Sequence, residues 1–303
     1  MLERFQVPLY FLAIALGALG AFVWGSDAFS DMWVDGLLFG LMFVTFLSVP
    51  LHTVAGAIQD VRFGAALLAL NFLLVPVVVF VISRLFTDSP LLVGLVLVLI
   101  CPCVDYVIVF SRLAGGDADR LVAWAPILLV VQMLAMPLLL WLIADHSMAA
   151  EAGPFWRAFR LFIIAPLILA AIVQRFAKTQ VGKAIDTVGK AAMVPLMMGV
   201  LAAVVATQLD TVREFGGQLG WLIPAYLAFA VLVGVVSWGV GSRFSRPQQT
   251  ALTFSAVTRN SLIIMPFALA IGGITPAVVL TQTMVELLVM VAMVALLPRL
   301  LPR

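Results

Sequence analysis

The sequence predicts an all-α integral membrane protein of ten transmembrane helices, and three observations carry that prediction. Of the 303 residues, 64% are hydrophobic and only 11% charged, against about 25% charged in a soluble domain, so too little polar surface exists to face water all round. Apolar runs recur along the whole length, each near the roughly 20 residues that span a hydrocarbon core about 30 Å thick. The runs are continuous rather than alternating. That pattern favours helices over a barrel, whose strands alternate, and lipid offers no partner to an unpaired backbone group.

In chain order the spans fall at 7–24, 36–54, 64–83, 91–113, 121–143, 155–173, 191–208, 219–240, 250–271 and 277–297. The first follows Arg4 in the manner of a signal peptide, but the spans behind it make it the first helix. Short connections carry nearly all the charge. Twelve of the 17 Lys and Arg fall on one side, Arg84, Arg157, Arg160 and Arg213 on the other, and Arg259 inside a span. The positive-inside rule makes the first side cytoplasmic, with both termini inside and the chain a multi-pass protein of the inner or plasma membrane. The opposite side is richer in acids, among them Asp27, Asp31, Asp35, Asp145 and Glu214.

The two halves, 1–150 and 151–303, look alike within a single membrane domain. The third span ends Ser83-Arg84-Leu85-Phe86 and the eighth Ser242-Arg243-Phe244. The fourth and ninth each carry a polar interruption; the fifth carries Gln132, the tenth Gln282 and Glu286. Five spans is an odd number, so the second five-helix repeat is inverted relative to the first, a transporter signature when matched interruptions accompany it.

Three formal charges fall within spans: Asp105, Arg259 and Glu286. Each costs about 2.5 to 3.5 kcal/mol facing lipid, so each faces the protein or a wet cavity, as a transport site or as a structural ion pair. In the fourth span Pro102 removes a backbone donor and disfavours helix at Cys101, beside Cys103 and Asp105. The ninth reads Ser255-Ala256-Val257-Thr258-Arg259-Asn260-Ser261. Four of those seven residues are polar, resembling an unwound segment more than a packing seam. Cys101 and Cys103 admit a soft-metal reading and a plain one as small hydrophobes.

Other classes find little support. The net charge of +2 is small and dispersed, which argues against nucleic acid. Gly182-Lys183 and Gly189-Lys190 lack the upstream glycine of a Walker A loop. No Gly-x-Gly-Asp motif accompanies the intramembrane carboxylates, and His52 and His146 sit near span ends, so neither an aspartyl nor a serine intramembrane enzyme is expected. No cofactor is implied.

The stretch Cys101-Pro102-Cys103, with Phe110-Ser111-Arg112-Leu113-Ala114-Gly115-Gly116-Asp117-Ala118 behind it, resembles the fourth helix of the bile acid/sodium symporter superfamily. Arg259-Asn260-Ser261 before a small-residue apolar run resembles its ninth. The resemblance implies ten helices as two inverted repeats, with broken helices four and nine crossing at the site. Within the superfamily the arsenical-resistance permeases look closest, through Pro102-Cys103 and Val285-Glu286. Of their ninth-helix Asn-Asn-Phe-Glu motif only Asn260 is matched. This resemblance implies arsenite or metalloid efflux with Cys103 near the substrate path. The sodium ligands of the superfamily correspond to Val107, Ile108, Ser255 and Arg259, which supply few of the oxygens a hard cation needs. Sodium independence follows as an expectation. Arg259 stands where the cation would be and pairs with Asp105, and protonation of Asp105 or Glu286 couples transport to the proton gradient. The alternative is a symporter or exporter of a small organic anion held by Arg259. Cys101, Cys103, Asp105, Gln132, Arg259, Asn260, Ser261 and Glu286 are the expected binding or coupling residues, around a break at Pro102. The expected partners are a small-molecule or oxyanion substrate, protons and the lipid bilayer.

Overall fold

A computed structural model describes residues 6–26, 31–48, 60–87, 89–103, 106–144, 152–177 and 179–300, and all regular structure among them is helical. In order the helices are α1 (Gln6–Trp24), α2 (Asp31–Ser48), α3 (Val61–Phe86), α4 (Leu92–Leu99), α5 (Tyr106–Leu113) and α6 (Ala118–Ile143). There follow α7 (Trp156–Arg175), α8 (Gln180–Gly220), α9 (Leu222–Gly241), α10 (Arg246–Val257), α11 (Ser261–Ile271) and α12 (Thr275–Leu300). Among the described residues seven stretches are long and apolar enough to cross a membrane: α3, α6, α7, 191–220 of α8, α9, α10 with α11, and α12; α1 and α2 are apolar but shorter. The fourth expected span is divided into α4 and α5, eight residues each. The seventh is longer than its apolar run predicts. α8 continues back to Gln180, where the Thr179 hydroxyl accepts from the Gly182 N–H at 3.1 Å and caps its first turn.

The chain forms two compact units, each drawing on both halves of the sequence. The first comprises residues 1–49, 151–219 and 265–280, the second 50–150, 220–264 and 281–303.

In the first unit α2 packs on α7, and Gln174 of α7 donates to the carbonyls of Phe46 and Leu47 at 3.1 Å each. Those carbonyls belong to the last turn of α2, which has no intrahelical partners for them. Tyr10 donates to the sulfur of Met197 at 3.1 Å, and Gly17 lies so close to the backbone of Ala202 that no Cβ fits between them. Phe159 tilts against Phe267, ring centroids 6.3 Å apart.

In the second unit the helix ends are fixed by short-range polar signals that the sequence spells out. Asp60 accepts from Phe63 N–H at 3.0 Å and begins α3. Asp117 accepts from Arg120 N–H and begins α6. Ser245 and Gln248 form a reciprocal capping box at α10. Arg120 joins these ends by pairing with both Asp60 and Asp117. Gly115 takes φ +80° after α5, the left-handed turn that lets the chain leave a helix without a Cβ clash.

Both α3 and α7 contain a wide π turn, at Leu70–Leu74 and Arg160–Ile164. Each runs directly into a proline-bearing turn, with Pro76 and Pro166 respectively. A proline in a helix has no N–H for the carbonyl four residues back and its ring crowds that carbonyl, so the turn before it widens.

Candidate coupling site at the helix breaks

Two breaks meet in the second unit. The first follows α4: Ile100 ends the helix and Cys101, Pro102 and Cys103 are non-helical. The second separates α10 from α11, where Thr258 turns extended (φ −82°, ψ 146°) and Arg259 and Asn260 continue outside helix. The Asn260 N–H donates to the Pro102 carbonyl at 3.1 Å, so the breaks satisfy one another's backbone. The window around α10 and α11 is 83% buried, the highest share of any span.

Several of the polar groups at the breaks are met by side chains. Gln132 of α6 donates from one amide nitrogen to the carbonyls of Ile100 (2.9 Å) and Cys101 (3.2 Å). Asn260 accepts from the Leu262 and Ile263 N–H groups at 3.2 and 3.4 Å and caps α11. Ser261 shares a 2.7 Å hydrogen bond with Thr283 of α12. Glu286 of α12 accepts the Arg259 backbone N–H at 2.5 Å through Oε1 and the Gln282 amide at 2.9 Å through Oε2. The Thr258 hydroxyl donates to Phe254 O at 2.7 Å. A hydroxyl has a single hydrogen, so in the 2.9 Å contact between Cys103 and Thr258 the thiol is the donor. Cys101 and Cys103 are both free and buried.

Arg259 is the largest fully buried side chain among the described residues, at 0% exposure. Its guanidinium donates to Asn71 Oδ1 at 3.0 Å, to the Cys101 carbonyl at 3.2 Å and to the Ala256 carbonyl. It also lies over the Phe229 ring, 5.7 Å from the centroid, a favourable seat for a cation. Three neutral oxygens and an aromatic face thus lie against the guanidinium.

Of the expected site residues, Cys101, Pro102, Cys103, Gln132, Arg259, Asn260, Ser261 and Glu286 come together here, and Asp105 lies outside the described residues, as do His52 and His146. Asn71 and Phe229 join the site without having been singled out. Asn71 carries a signal, as a lone amide in the run from Gly64 to Ser83, five residues before Pro76. Its place in the π turn of α3 aims it at Arg259, and its own amide nitrogen is held by Leu67 O and by Ser255 Oγ, at 2.9 and 3.4 Å. Phe229 has no signal beyond being apolar. Val107, Ile108, Ser255 and Cys103 line a separate void of about 10 Å³, otherwise walled by Leu67, Leu121, Ala125 and Leu128. Ser255 and Cys103 are the lining residues with polar side chains.

A family model described as the Sodium Bile acid symporter family matches residues 36–214, more than half of the chain. The chain belongs to that family. Its match to the sodium bile acid symporter model takes in the break at Pro102, together with Asn71 and Gln132, and stops before Arg259 and Glu286. A Bacillus subtilis protein described as the uncharacterized sodium-dependent transporter YocS is 22% identical over 192 residues. That match covers 63% of this chain and 59% of the relative's length. With seven stretches able to cross a membrane, this member of the family is a multi-span helical membrane protein.

Proposed function

We propose that the chain is a secondary transporter of a small molecule that works without a bound sodium ion, because the Arg259 guanidinium fills the cation's place. The observation that carries this is the cage itself: a fully buried guanidinium donating to oxygens of Asn71, Cys101 and Ala256 where two broken helices meet. The family supports the transporter part. The ten-span architecture, the inverted repeats and cytoplasmic termini belong to the same proposal. The sodium dependence in the Bacillus relative's description is a property of that relative. Here a fixed positive charge sits among the oxygens, and a second cation beside it meets direct repulsion. The void at Val107, Ile108 and Ser255 offers too few oxygens to hold sodium instead.

Glu286 is the coupling group in this reading. As a carboxylate it accepts from both Arg259 N–H and Gln282; a proton on it removes acceptor capacity and loosens the break. Proton-coupled efflux of arsenite, as in the arsenical-resistance branch, is the cargo reading the thiols favour, with Cys101 and Cys103 beside the crossing. The experiment is a sodium titration of flux in proteoliposomes, followed by growth of an arsenite-sensitive host expressing the chain. Flux independent of sodium, abolished by Arg259→Gln with expression intact, supports the proposal. Saturable sodium dependence sinks it, and a host left unprotected despite membrane expression removes arsenite as cargo.

An organic anion is the second cargo reading. Its support does not come from Arg259, whose donors already serve three protein oxygens.

A further inference from the structure

Gln282 and Glu286 lie one turn apart on α12, and the Gln282 amide nitrogen donates to Glu286 Oε2 at 2.9 Å. A carboxylate only accepts, so the amide presents its NH2 to Glu286 and keeps its oxygen for another partner. That oxygen, Oε1, is buried and has no partner among the described residues, in a side chain only 5% exposed. Both residues line a pocket of about 20 Å³ where α4, α9, α10 and α12 approach one another in the second unit. Tyr226 and Thr258 are its other polar walls, and Ala230 and Val289 belong to the apolar ones. The Thr258 hydrogen already goes to Phe254 O. A cavity holds a water once it offers roughly 10–15 Å³ and two to four polar partners, so this one takes a single water molecule.

We infer that this pocket holds one water, hydrogen-bonded to Gln282 Oε1 and to the Glu286 carboxylate, and that this water is the last carrier of the proton Glu286 takes up. The inference rests on the reading of Glu286 as the coupling group and gives that buried acid a donor. In uptake, an excess proton delivered from hydronium in bulk water makes the bound water H3O+, with Gln282 Oε1 accepting from it. One O–H bond of that ion then breaks as an O–H bond to Glu286 forms, the carboxylate charge is cancelled and a neutral water remains. Release is the same step reversed. The other ionisable groups about Glu286 among the described residues are Arg259, Cys101 and Cys103, with Tyr226 across the pocket. Guanidinium, thiol and phenol all carry their protons at neutral pH, which leaves the carboxylate to gain one on acidification.

The test is infrared difference spectroscopy, acid minus neutral, on the full-length chain in detergent and choline chloride. The band of the protonated Glu286 carboxyl is assigned by its loss in Glu286→Gln. A water O–H stretch that shifts in water enriched with the heavy oxygen isotope is expected beside it. Val289→Ile, with Ala230→Val as the substitute if the first does not fold, adds methyl bulk to the pocket wall. It is expected to delete the isotope-sensitive band and keep the carboxyl band. It is also expected to slow conversion of that carboxyl to its deuterated form in D2O by about a hundredfold, the low end of what a positioned proton carrier contributes. A carboxyl band with no isotope-sensitive water band, or exchange unchanged by filling the pocket, overturns the inference and leaves Glu286 standing as the coupling group. No carboxyl band in wild type strikes the coupling reading itself, and the relay with it. Loss of the water band when sodium replaces choline at equal ionic strength assigns the pocket to the metal ion and overturns the inference as well.

Discussion

The Glu286 carboxylate accepts the backbone N–H of Arg259 at 2.5 Å, so the acid of α12 holds the main chain of the residue whose side chain closes the cation cage. Charge and backbone are tied at one point. Changing either partner therefore separates what the acid does for shape from what it does for transport.

Glu286→Gln keeps an acceptor for the Arg259 N–H and loses the titrating group. The variant is expected to melt within a few degrees of wild type while its flux no longer responds to pH. Glu286→Leu leaves a buried N–H unpaired, at a cost of about 1–3 kcal/mol, visible as a lowered melting temperature. A pH response retained in Glu286→Gln removes the acid from coupling.

Arg259→Ala empties a cage of three oxygens. Free guanidinium, added at millimolar concentration, is expected to raise the melting temperature of this variant and not that of wild type, because binding to the folded state alone stabilises it. Sodium is expected to do the same more weakly. No response to either ion means the cage closes when the side chain leaves.

Asn71→Asp turns one neutral oxygen of the cage into a carboxylate against the same guanidinium. The expected outcome is a folded protein with flux reduced at least tenfold, since the guanidinium is then neutralised inside its own cage. Asn71→Leu removes the oxygen altogether and is expected to lose stability as well, which circular dichroism melts will separate from the first effect.

Gln132→Leu strips the hydrogen bonds from the Ile100 and Cys101 carbonyls. The Ile100 carbonyl then lacks this donor, at about 1–3 kcal/mol, while the Cys101 carbonyl keeps the Arg259 guanidinium, and the loss should appear as faster proteolysis near the Pro102 break. Unchanged cleavage would assign the Ile100 carbonyl another donor.

Gly64→Ala drives a methyl into the Trp124 ring and is expected to cost roughly 1–3 kcal/mol of overpacking. Trp124→Leu on the same chain is expected to recover part of it, the sign of a local steric contact rather than a general loss of helix contacts.

Much of this was legible in the residues. Pro102 announced the first break because its chemistry is local: a missing donor and a crowded neighbour act within one turn. The run from Thr258 to Ser261 announced the second by polarity alone. Arg259 and Glu286 were visible as charges too costly to leave facing lipid. What the sequence could not show was which groups meet. Asn71 lies 188 residues from Arg259, and only the widened turn before Pro76 turns its amide toward the guanidinium. The length of α8 was misjudged for a different reason, since hydropathy marks only the apolar part of a helix and residues 180–190 are helical without being apolar. Nor does the sequence show that α7 and most of α8 form a compact unit with α1 and α2.

The guanidinium in the oxygen cage is covalently fixed to the main chain, and that has an electrical consequence. A sodium ion that drives transport is a passenger, delivered to the far side with each turnover and recorded as current. The Arg259 charge moves only as far as its backbone moves and returns with it. In the proposed reading the caged charge therefore adds nothing to the current, and whatever the membrane potential contributes, about 2.3 kcal/mol per charge per 100 mV, acts on the coupled proton and the cargo.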